Sequence, residues 1–248
     1  MKTLPVSIGK LFILSLFVLL LPMLAAAKKK NRHHHFTAHI SRIAQRKLIA
    51  LEAATLYYEM QLKDSGLNEE ALEYALIGYH RLLKRHALNK TDVISVCDFS
   101  QPSSAKRMYI LDLQNKRVLY RTYVAHGMGS GRVFANSFSN VPDSYKSSLG
   151  FYVTRNTYVG SCGLSLRIDG VEKGFNDKAN ARAIVIHGAN YVSERVLHKY
   201  GLMGTTFGCP AVPQEMASQI IPVLKNGTCF FIYYPSKKYL SASKMING

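Results

Sequence analysis

A histidine and a cysteine, His187 and Cys209, stand in settings that suit a base and a nucleophile. His187 ends the apolar run "AIVIH" and is followed by Gly188, and 22 residues later Cys209 lies in "FGCPAV". A thiol is only slightly ionised at neutral pH, and a neighbouring imidazole can take its proton and stabilise the thiolate. The two residues therefore predict a nucleophilic cysteine served by a histidine base.

Two further groups would complete such a pair. A third group has to orient the imidazole, and because no Asp or Glu obviously supplies it, we expect a backbone carbonyl near Gly188 to do so. Gly208 permits a close backbone approach, so the amides of Gly208 and Cys209 are predicted to stabilise an oxyanion. His126, in the glycine-rich segment "AHGMGSG", is an alternative base, but His187 ends a stiffer segment and is preferred.

The remaining cysteines and histidines suggest no second site. Cys97 and Cys229 lie in runs that predict buried strands, whereas Cys162 lies in the loop-like "VGSCGLS", and their pairing stays open. The absence of a Cys-x-x-Cys motif argues against a zinc ribbon or a thioredoxin-like site. Histidines 33–35 and His39 have no carboxylate or cysteine nearby, which favours a surface histidine run over a metal site.

Short runs rich in β-branched and aromatic residues follow Lys90 and would have to position the pair. Their number and spacing favour a β-sandwich or barrel. Shorter helices are predicted near residues 193–200 and 214–225, and Pro222 predicts a kink or an early end in the second of them. The predicted strands are "DVISVCDF", "RMYILDL", "RVLYRTYV", "LGFYVTRNTYV", "AIVIH" and "TCFFIYY".

Residues 38–90 carry a helical pattern instead. Apolar or aromatic positions recur every three or four residues, "DSGLNEE" interrupts them, and Asn68 before two glutamates predicts the start of a second helix. The segment is therefore predicted to be a helical hairpin in front of a mainly β domain, an α+β chain overall. The hairpin packing on that domain, covering its cleft and docking a partner are all compatible with the pattern.

The first 27 residues have the pattern of a secretory signal peptide. Lys2 and Lys10 precede an eleven-residue apolar run, Leu11–Leu21, and Ala25–Ala27 suit cleavage. The run is short for a membrane-spanning helix, which needs about 20 apolar residues. We therefore expect export to the periplasm or the cell wall, with an uncleaved anchor as the alternative.

The formal net charge of +17 is concentrated near the start of the exported chain. Residues 28–47 carry seven Lys or Arg and no acidic residue, and residues 28–37 form a basic arm. Such an arm suits an anionic wall polymer or a membrane surface, and a solvated leader is the alternative. Nucleic acid is not an expected partner, because an exported chain without a nucleic-acid-binding motif has little reason to meet it.

Several segments together resemble one enzyme family. The stretch "IVIHGANYVSERVLHKYGLMGTTFGCPAVP" resembles the signature of the L,D-transpeptidase catalytic domain, the YkuD-like fold, in the murein L,D-transpeptidase branch that ends in "GCPAVP". Upstream, "YVAHGMGSG", "FSNVPDSYKSSLGFYVT" and "SLRIDGVEKGFNDKANARAIVIHGA" look similar to the same branch, as does "FFIYYPSKKYL". The resemblance places a catalytic domain at residues 91–240 and leaves residues 241–248 as a C-terminal tail.

The resemblance implies a mainly β enzyme that acts on peptidoglycan stem peptides without a metal or an organic cofactor. Cys209 would attack the third residue of a donor tetrapeptide and release the terminal D-alanine, and the amine of a second stem would resolve the thioester into a 3→3 cross-link. His187 is implied as the base, the Gly188 carbonyl as its orienting group, and the Gly208 and Cys209 amides as the oxyanion hole. With water as acceptor, the enzyme would be an L,D-carboxypeptidase.

Two positions depart from the wider family. Phe207 stands where that family has a second histidine, and Ala211 where it has Arg or Asn. Both changes remove polar contacts to substrate, so the acceptor stays open and a catalytically silent wall-binding module is an alternative. A papain-like peptidase is disfavoured because its cysteine precedes its histidine.

Polar and aromatic side chains around these motifs are expected to hold the stem peptide, although turns commonly use the same residue types. They are His126, Ser139, Asn140, Ser148, Arg167, Asn190, Tyr191 and Thr206.

Overall fold

The computed structural model describes residue 40 and residues 42–248 of the chain. The chain divides into two compact units, residues 1–48 and residues 49–248. In the first unit, residues 40 and 42–48 are helical. The predicted signal peptide, the basic arm and the histidines at 33–35 and 39 lie outside the described residues. In the part of the chain that is described, no helix combines the length and the apolar character needed to span a membrane.

Eight strands of the second unit form one mixed sheet in the order β3-β2-β1-β8-β4-β5-β6-β7. Neighbouring strands are antiparallel except for the pairs β1–β8 and β6–β7. Just after β3, Ala125 pairs with Ala211 of β7, so the two ends of the strand order meet and the sheet nearly closes into a barrel. The mainly β fold class is confirmed. The strands are β1 Val93–Asp98, β2 Met108–Asp112, β3 Arg117–Thr122, β4 Gly150–Gly160, β5 Gly163–Gly170, β6 Val185–Ala189, β7 Ala211–Pro213 and β8 Cys229–Tyr233.

Helices precede the sheet and follow its last strands. Asn68 begins α3 as predicted, because its side chain accepts a hydrogen bond from the Glu70 amide at 2.9 Å. A single 3₁₀ turn, Met128–Ser130, follows β3. The helices of this unit are α1 (residues 49–59), α2 Leu62–Ser65, α3 Glu69–Lys84, α4 Glu194–Tyr200, α5 Gln214–Leu224, α6 Lys237–Ala242 and α7 Lys244–Asn247.

Two details at the C-terminal end differ from expectation. Pro222 lies inside α5, and the helix continues past it to Leu224 because the proline falls in the last turn while Ile220, Ile221 and Leu224 are anchored in the core. Residues 241–248, predicted to be a C-terminal tail, are the end of α6 and the short helix α7, which buries Met245 and Ile246.

Helix α3 packs on the sheet, which decides how the predicted hairpin relates to the β domain. The buried face of α3 lies against β1 and β8, and α7 packs against the same helix. Gly78 of α3 faces Phe151 of β4, whose ring stacks on Phe231 with ring centroids 4.1 Å apart. The part of the hairpin from residue 49 onward and the sheet therefore share one hydrophobic core.

Gly78→Ala is expected to lower the free energy of unfolding by about 2 kcal/mol, as overpacking of a filled core typically does. A Cβ at this position would lie 2.1 Å from an atom of the Phe151 ring, so the ring or the helix has to move. At such a contact overpacking costs about 3 kcal/mol, and the roughly 1 kcal/mol that alanine gains over glycine inside a helix offsets part of it, which leaves about 2 kcal/mol. Denaturant unfolding followed by circular dichroism measures the change. Glu73→Ala, a half-buried position of the same helix, is the control, and equal losses in the two variants would contradict the tight contact at Gly78.

Candidate active site

Cys209 lies on the turn that leads into β7. Strands β6 and β7 are parallel, with His187 paired to Ala211. Counting back two residues on each strand places Cys209 beside Val185, and the Cys209 Sγ accepts a hydrogen bond from the Val185 amide at 3.5 Å. Val185 and His187 are two residues apart on one strand and therefore share one face of the sheet. The fold thus brings the thiol to the strand and the face that carry His187.

The Cys209 thiol is half-buried. Its Sγ lies 3.7 Å from the carbonyl oxygen of Ala183. Ala183 itself has a φ of 53°, a left-handed backbone conformation that is uncommon outside glycine. Burial raises the pKa of the Cys209 thiol, and the smaller effects of the Val185 amide and the Arg182 charge lower it. No hydrogen bond joins this thiol to His187, so the expectation that the imidazole holds it as a thiolate is not met in this state. The thiol rests in its protonated form and needs a base to react.

His187 is almost enclosed by protein, with 5% of its surface exposed. Its Nδ1 lies 2.9 Å from the carbonyl oxygen of Gly188. Because a carbonyl oxygen only accepts hydrogen bonds, Nδ1 carries a proton, and the lone pair of an unprotonated ring lies on Nε2. The Gly188 carbonyl therefore orients the ring in the tautomer that a general base requires.

Thr206 fixes the turn that carries Cys209. Its Oγ1 donates to the Cys209 carbonyl at 2.7 Å and accepts from the Gly208 amide at 3.0 Å. The Gly208 amide is therefore occupied, and the prediction that it stabilises an oxyanion is wrong for this conformation. The Cys209 amide, which has no acceptor among the described residues, is the donor that remains. Thr206 is 6% exposed and serves the turn rather than a substrate.

Only glycine fits at position 208. Gly208 has a φ of 125°, and a Cβ there would lie 2.9 Å from the Lys146 carbonyl oxygen and 3.1 Å from Nη2 of Arg182. The residues around Lys146 and the Arg182 side chain therefore lie directly against the nucleophile turn. Arg182 is a site residue that the sequence pattern did not single out.

Three predicted substrate residues, Arg167, Asn190 and Tyr191, lie near the pair. Arg167 of β5 is paired with Val185, so its exposed side chain lies on the face that carries His187, with its Cζ 4.3 Å from the centre of the Tyr158 ring. Asn190 is exposed directly after β6. Burial raises the pKa of the adjacent Tyr191, and Cys162 and Cys209 add smaller contributions in the same direction.

His126 requires a correction. It is fully buried, with Nδ1 2.7 Å from Nη2 of Arg107 and Nε2 3.0 Å from the carbonyl oxygen of Gly131. Burial and the Arg107 charge lower the pKa of His126 to about 4. His126 is therefore a neutral interior histidine, with no nitrogen free to act as a base or to hold substrate.

The predicted serines and asparagine of the loop before β4 serve contacts within the protein. Ser148 is buried, and its Oγ donates to the Ser139 carbonyl at 3.0 Å and accepts from Nη1 of Arg182 at 2.6 Å, so its assignment to substrate is wrong for this conformation. The Asn140 side chain donates to Asp177 at 2.8 Å. Ser139 and Asn140 line a cavity of about 530 Å³ whose walls include neither Cys209 nor His187.

The two positions that depart from the family pattern have different surroundings. Phe207 is 71% exposed and packs on Tyr145, with ring centroids 4.9 Å apart, whereas Ala211 is fully buried beside His187. The surface next to Cys209 is therefore an aromatic rim, formed by Phe207 and Tyr145. All four cysteines are free thiols, and Cys162 is the exposed one, at the turn between β4 and β5.

Comparison with known proteins gives one family. The model of the L,D-transpeptidase catalytic domain family, YkuD_2, matches residues 63–233, more than half of the chain. No curated protein matches the chain.

Solved structures of low sequence identity resemble parts of the chain. An L,D-transpeptidase from Mycobacterium smegmatis is 10% identical, with 58% of this chain and 59% of that chain covered and a TM-score of 0.36. L,D-transpeptidase 1 from Mycobacterium tuberculosis is 13% identical, with 58% and 62% covered and a TM-score of 0.32. An L,D-transpeptidase from Xylanimonas cellulosilytica is 14% identical, with 62% and 68% covered and a TM-score of 0.33. The chain thus spans about three fifths of the length of the first two.

Proposed function

This chain belongs to the L,D-transpeptidase catalytic domain family, and on that premise we propose that it is a cysteine-dependent L,D-transpeptidase acting on peptidoglycan stem peptides. Cys209 is the nucleophile and His187 is its base. The observation that carries the proposal is that the Cys209 Sγ lies 3.5 Å from the amide of Val185. Val185 is two residues before His187 on the same strand. The Gly188 carbonyl, 2.9 Å from Nδ1, leaves Nε2 of His187 as the proton acceptor.

In the first half of the reaction, Nε2 of His187 takes the thiol proton as the Cys209 Sγ attacks the carbonyl carbon of the third residue of a donor tetrapeptide. The Cys209 amide donates a hydrogen bond to the oxyanion of the tetrahedral intermediate. His187 then returns the proton to the nitrogen of the terminal D-alanine, the carbon–nitrogen bond breaks, and a thioester remains on Cys209.

In the second half, the side-chain amine of another stem attacks the thioester carbonyl and gives a proton to His187. The carbon–sulfur bond breaks, an amide forms as a 3→3 cross-link, and the Cys209 thiol regains its proton. Water in place of the amine would yield a tripeptide, the reaction of an L,D-carboxypeptidase. Phe207, which packs on Tyr145, lies two residues before Cys209 and is the side chain that an arriving acceptor would meet in place of the polar residue of the wider family.

The proposal includes export. Removal of residues 1–27 would release the chain to the periplasm or the cell wall, where its substrate lies. The basic arm at residues 28–37 would there contact an anionic wall polymer or a membrane surface.

Incubation of residues 28–248 with disaccharide-tetrapeptides, followed by mass analysis of the products, tests the proposed reaction. We expect a dimer that has lost one D-alanine. Tripeptide monomers without a dimer would show that the enzyme acts as a carboxypeptidase and not as a transpeptidase. Unchanged tetrapeptide, together with retention of the protein on insoluble peptidoglycan, would overturn catalysis in favour of a wall-binding module.

A further inference from the structure

Arg182 precedes β6 and connects it to the loop of residues 139–148. Its Nη1 donates to the Ser139 carbonyl at 2.9 Å and to the Ser148 Oγ at 2.6 Å, and its Nη2 donates to the Lys146 carbonyl at 2.6 Å and to the Ser144 Oγ at 3.5 Å. The half-buried guanidinium therefore holds this loop at several points along its length.

The braced loop and the guanidinium both touch the nucleophile turn. The Ser147 Oγ accepts from the Gly127 amide at 3.0 Å and lies 3.4 Å from the Gly208 carbonyl oxygen. Nη2 of Arg182 also reaches this turn, since a Cβ at position 208 would lie 3.1 Å from it and 2.9 Å from the Lys146 carbonyl oxygen to which Nη2 donates. The residue before Cys209 therefore contacts both the loop and Arg182.

No carboxylate pairs with Arg182 in the described part of the chain. Its hydrogen-bond acceptors are two carbonyls and two hydroxyls, and none of the salt bridges includes it. Burial lowers the pKa of Arg182, and the charges of Tyr152, Cys209 and Asp143 raise it by smaller amounts. The guanidinium has no salt-bridge partner among the described residues and lies beside Gly208, so its charge acts on the adjacent Cys209.

We propose that Arg182 is a positioning residue of the reaction, which braces the loop of residues 139–148 against the Gly208–Cys209 turn and supplies the fixed positive charge that stabilises the Cys209 sulfur when His187 removes its proton. The inference rests on the proposed function, because it concerns the same nucleophile. A neighbouring cation matters more at a half-buried sulfur than it would in water. Arginine suits the task since its guanidinium stays protonated and its planar fork fixes its geometry.

The test compares Arg182→Gln with Arg182→Lys by the rate of iodoacetamide modification across pH. Both variants carry Cys162→Ser, which leaves Cys209 as the reactive thiol because Cys97 and Cys229 are buried. Without the cation the thiolate is less stable, so the thiol keeps its proton to higher pH. In Arg182→Gln the rate at neutral pH should fall about tenfold, the factor that one pH unit gives, and the rate at alkaline pH should match that of the parent.

Arg182→Lys separates charge from bracing, because it keeps the cation and loses the fork. We expect its rate of modification at neutral pH to stay within about threefold of the parent rate. One pH unit corresponds to a tenfold change, so this is a shift of about half a unit or less. Arg155→Gln removes a charge at a surface pair with Asp169, 2.7 Å apart, and should leave the profile unchanged. Parent-like profiles in both Arg182 variants, or equal shifts in both, would overturn the role of the charge.

Folding and activity are checked separately. Circular dichroism shows whether Arg182→Gln folds, and if it does not, Arg182→Met, which keeps much of the side-chain length without the charge, takes its place in the comparison. A parent-like profile of Arg182→Met would then overturn the inference. Failure of the proposed function would look different, since the parent would form no acyl-enzyme from tetrapeptide while its thiol still responded to Arg182.

Discussion

Cys209→Ala should abolish covalent labelling of the protein by a carbapenem. A thiolate that attacks the strained lactam carbonyl opens the ring and retains the whole compound, because this reaction has no separate leaving group. Intact-protein mass spectrometry should therefore show the parent gaining the mass of one carbapenem, while alanine at position 209 offers no sulfur to acylate. The effect is all or none, the largest expected for any substitution in this chain.

Cys162→Ser is the matched control for that experiment. Cys162 is exposed and free, and its charge influences both Tyr191 and Cys209, so it is the other thiol that a reagent would meet near the site. This variant should keep the carbapenem adduct. An adduct that survives Cys209→Ala and disappears in Cys162→Ser would show that the nucleophile has been assigned to the wrong cysteine.

The elements that present the pair have local sequence signals. The runs of β-branched and aromatic residues predicted β1 to β4, β6 and β8, and Asn68 and Ser193 begin α3 and α4 with the side-chain caps typical of their residue types. Strand β5 has no continuous apolar run. Its Leu164, Leu166 and Ile168 alternate with polar residues, the period of a half-exposed strand, and that weaker signal was available in "GLSLRIDG".

The partners of the site residues depend on contacts that leave no local pattern. The neighbours of His126 include several glycines, which suggested a mobile loop, yet Arg107, 19 residues away, holds it in the interior. Arg182 binds residues 34 and 43 positions earlier in the chain. The Gly208 amide is taken by the hydroxyl of Thr206, only two residues away, a local side-chain-to-backbone hydrogen bond that threonine commonly makes in turns. Residue types thus singled out the candidate nucleophile and base, whereas the groups that support them required the fold.

His187→Gln should reduce the rate of product formation from tetrapeptide by about 10²–10⁴-fold, the usual contribution of a general base. Glutamine keeps a similar size and a hydrogen-bonding end but cannot take the thiol proton or return it to the leaving D-alanine. Since burial raises the pKa of Cys209, the resting thiol is protonated at neutral pH and depends on that base. The rate of product formation is measured per folded molecule, alongside the rate of iodoacetamide modification as a function of pH.

The pH dependence distinguishes loss of the base from loss of the site. As pH rises, hydroxide removes the thiol proton, so modification of Cys209 in His187→Gln should approach the parent rate, while product formation stays low because the leaving nitrogen still lacks its proton donor. His126→Gln is the matched histidine control. It should lower the melting temperature, because Arg107 and the Gly131 carbonyl lose their shared partner, and keep the rate per folded molecule. If His126→Gln abolished product formation and His187→Gln kept the parent rate, the base would be His126. Its burial and its two hydrogen-bonded nitrogens argue against that outcome.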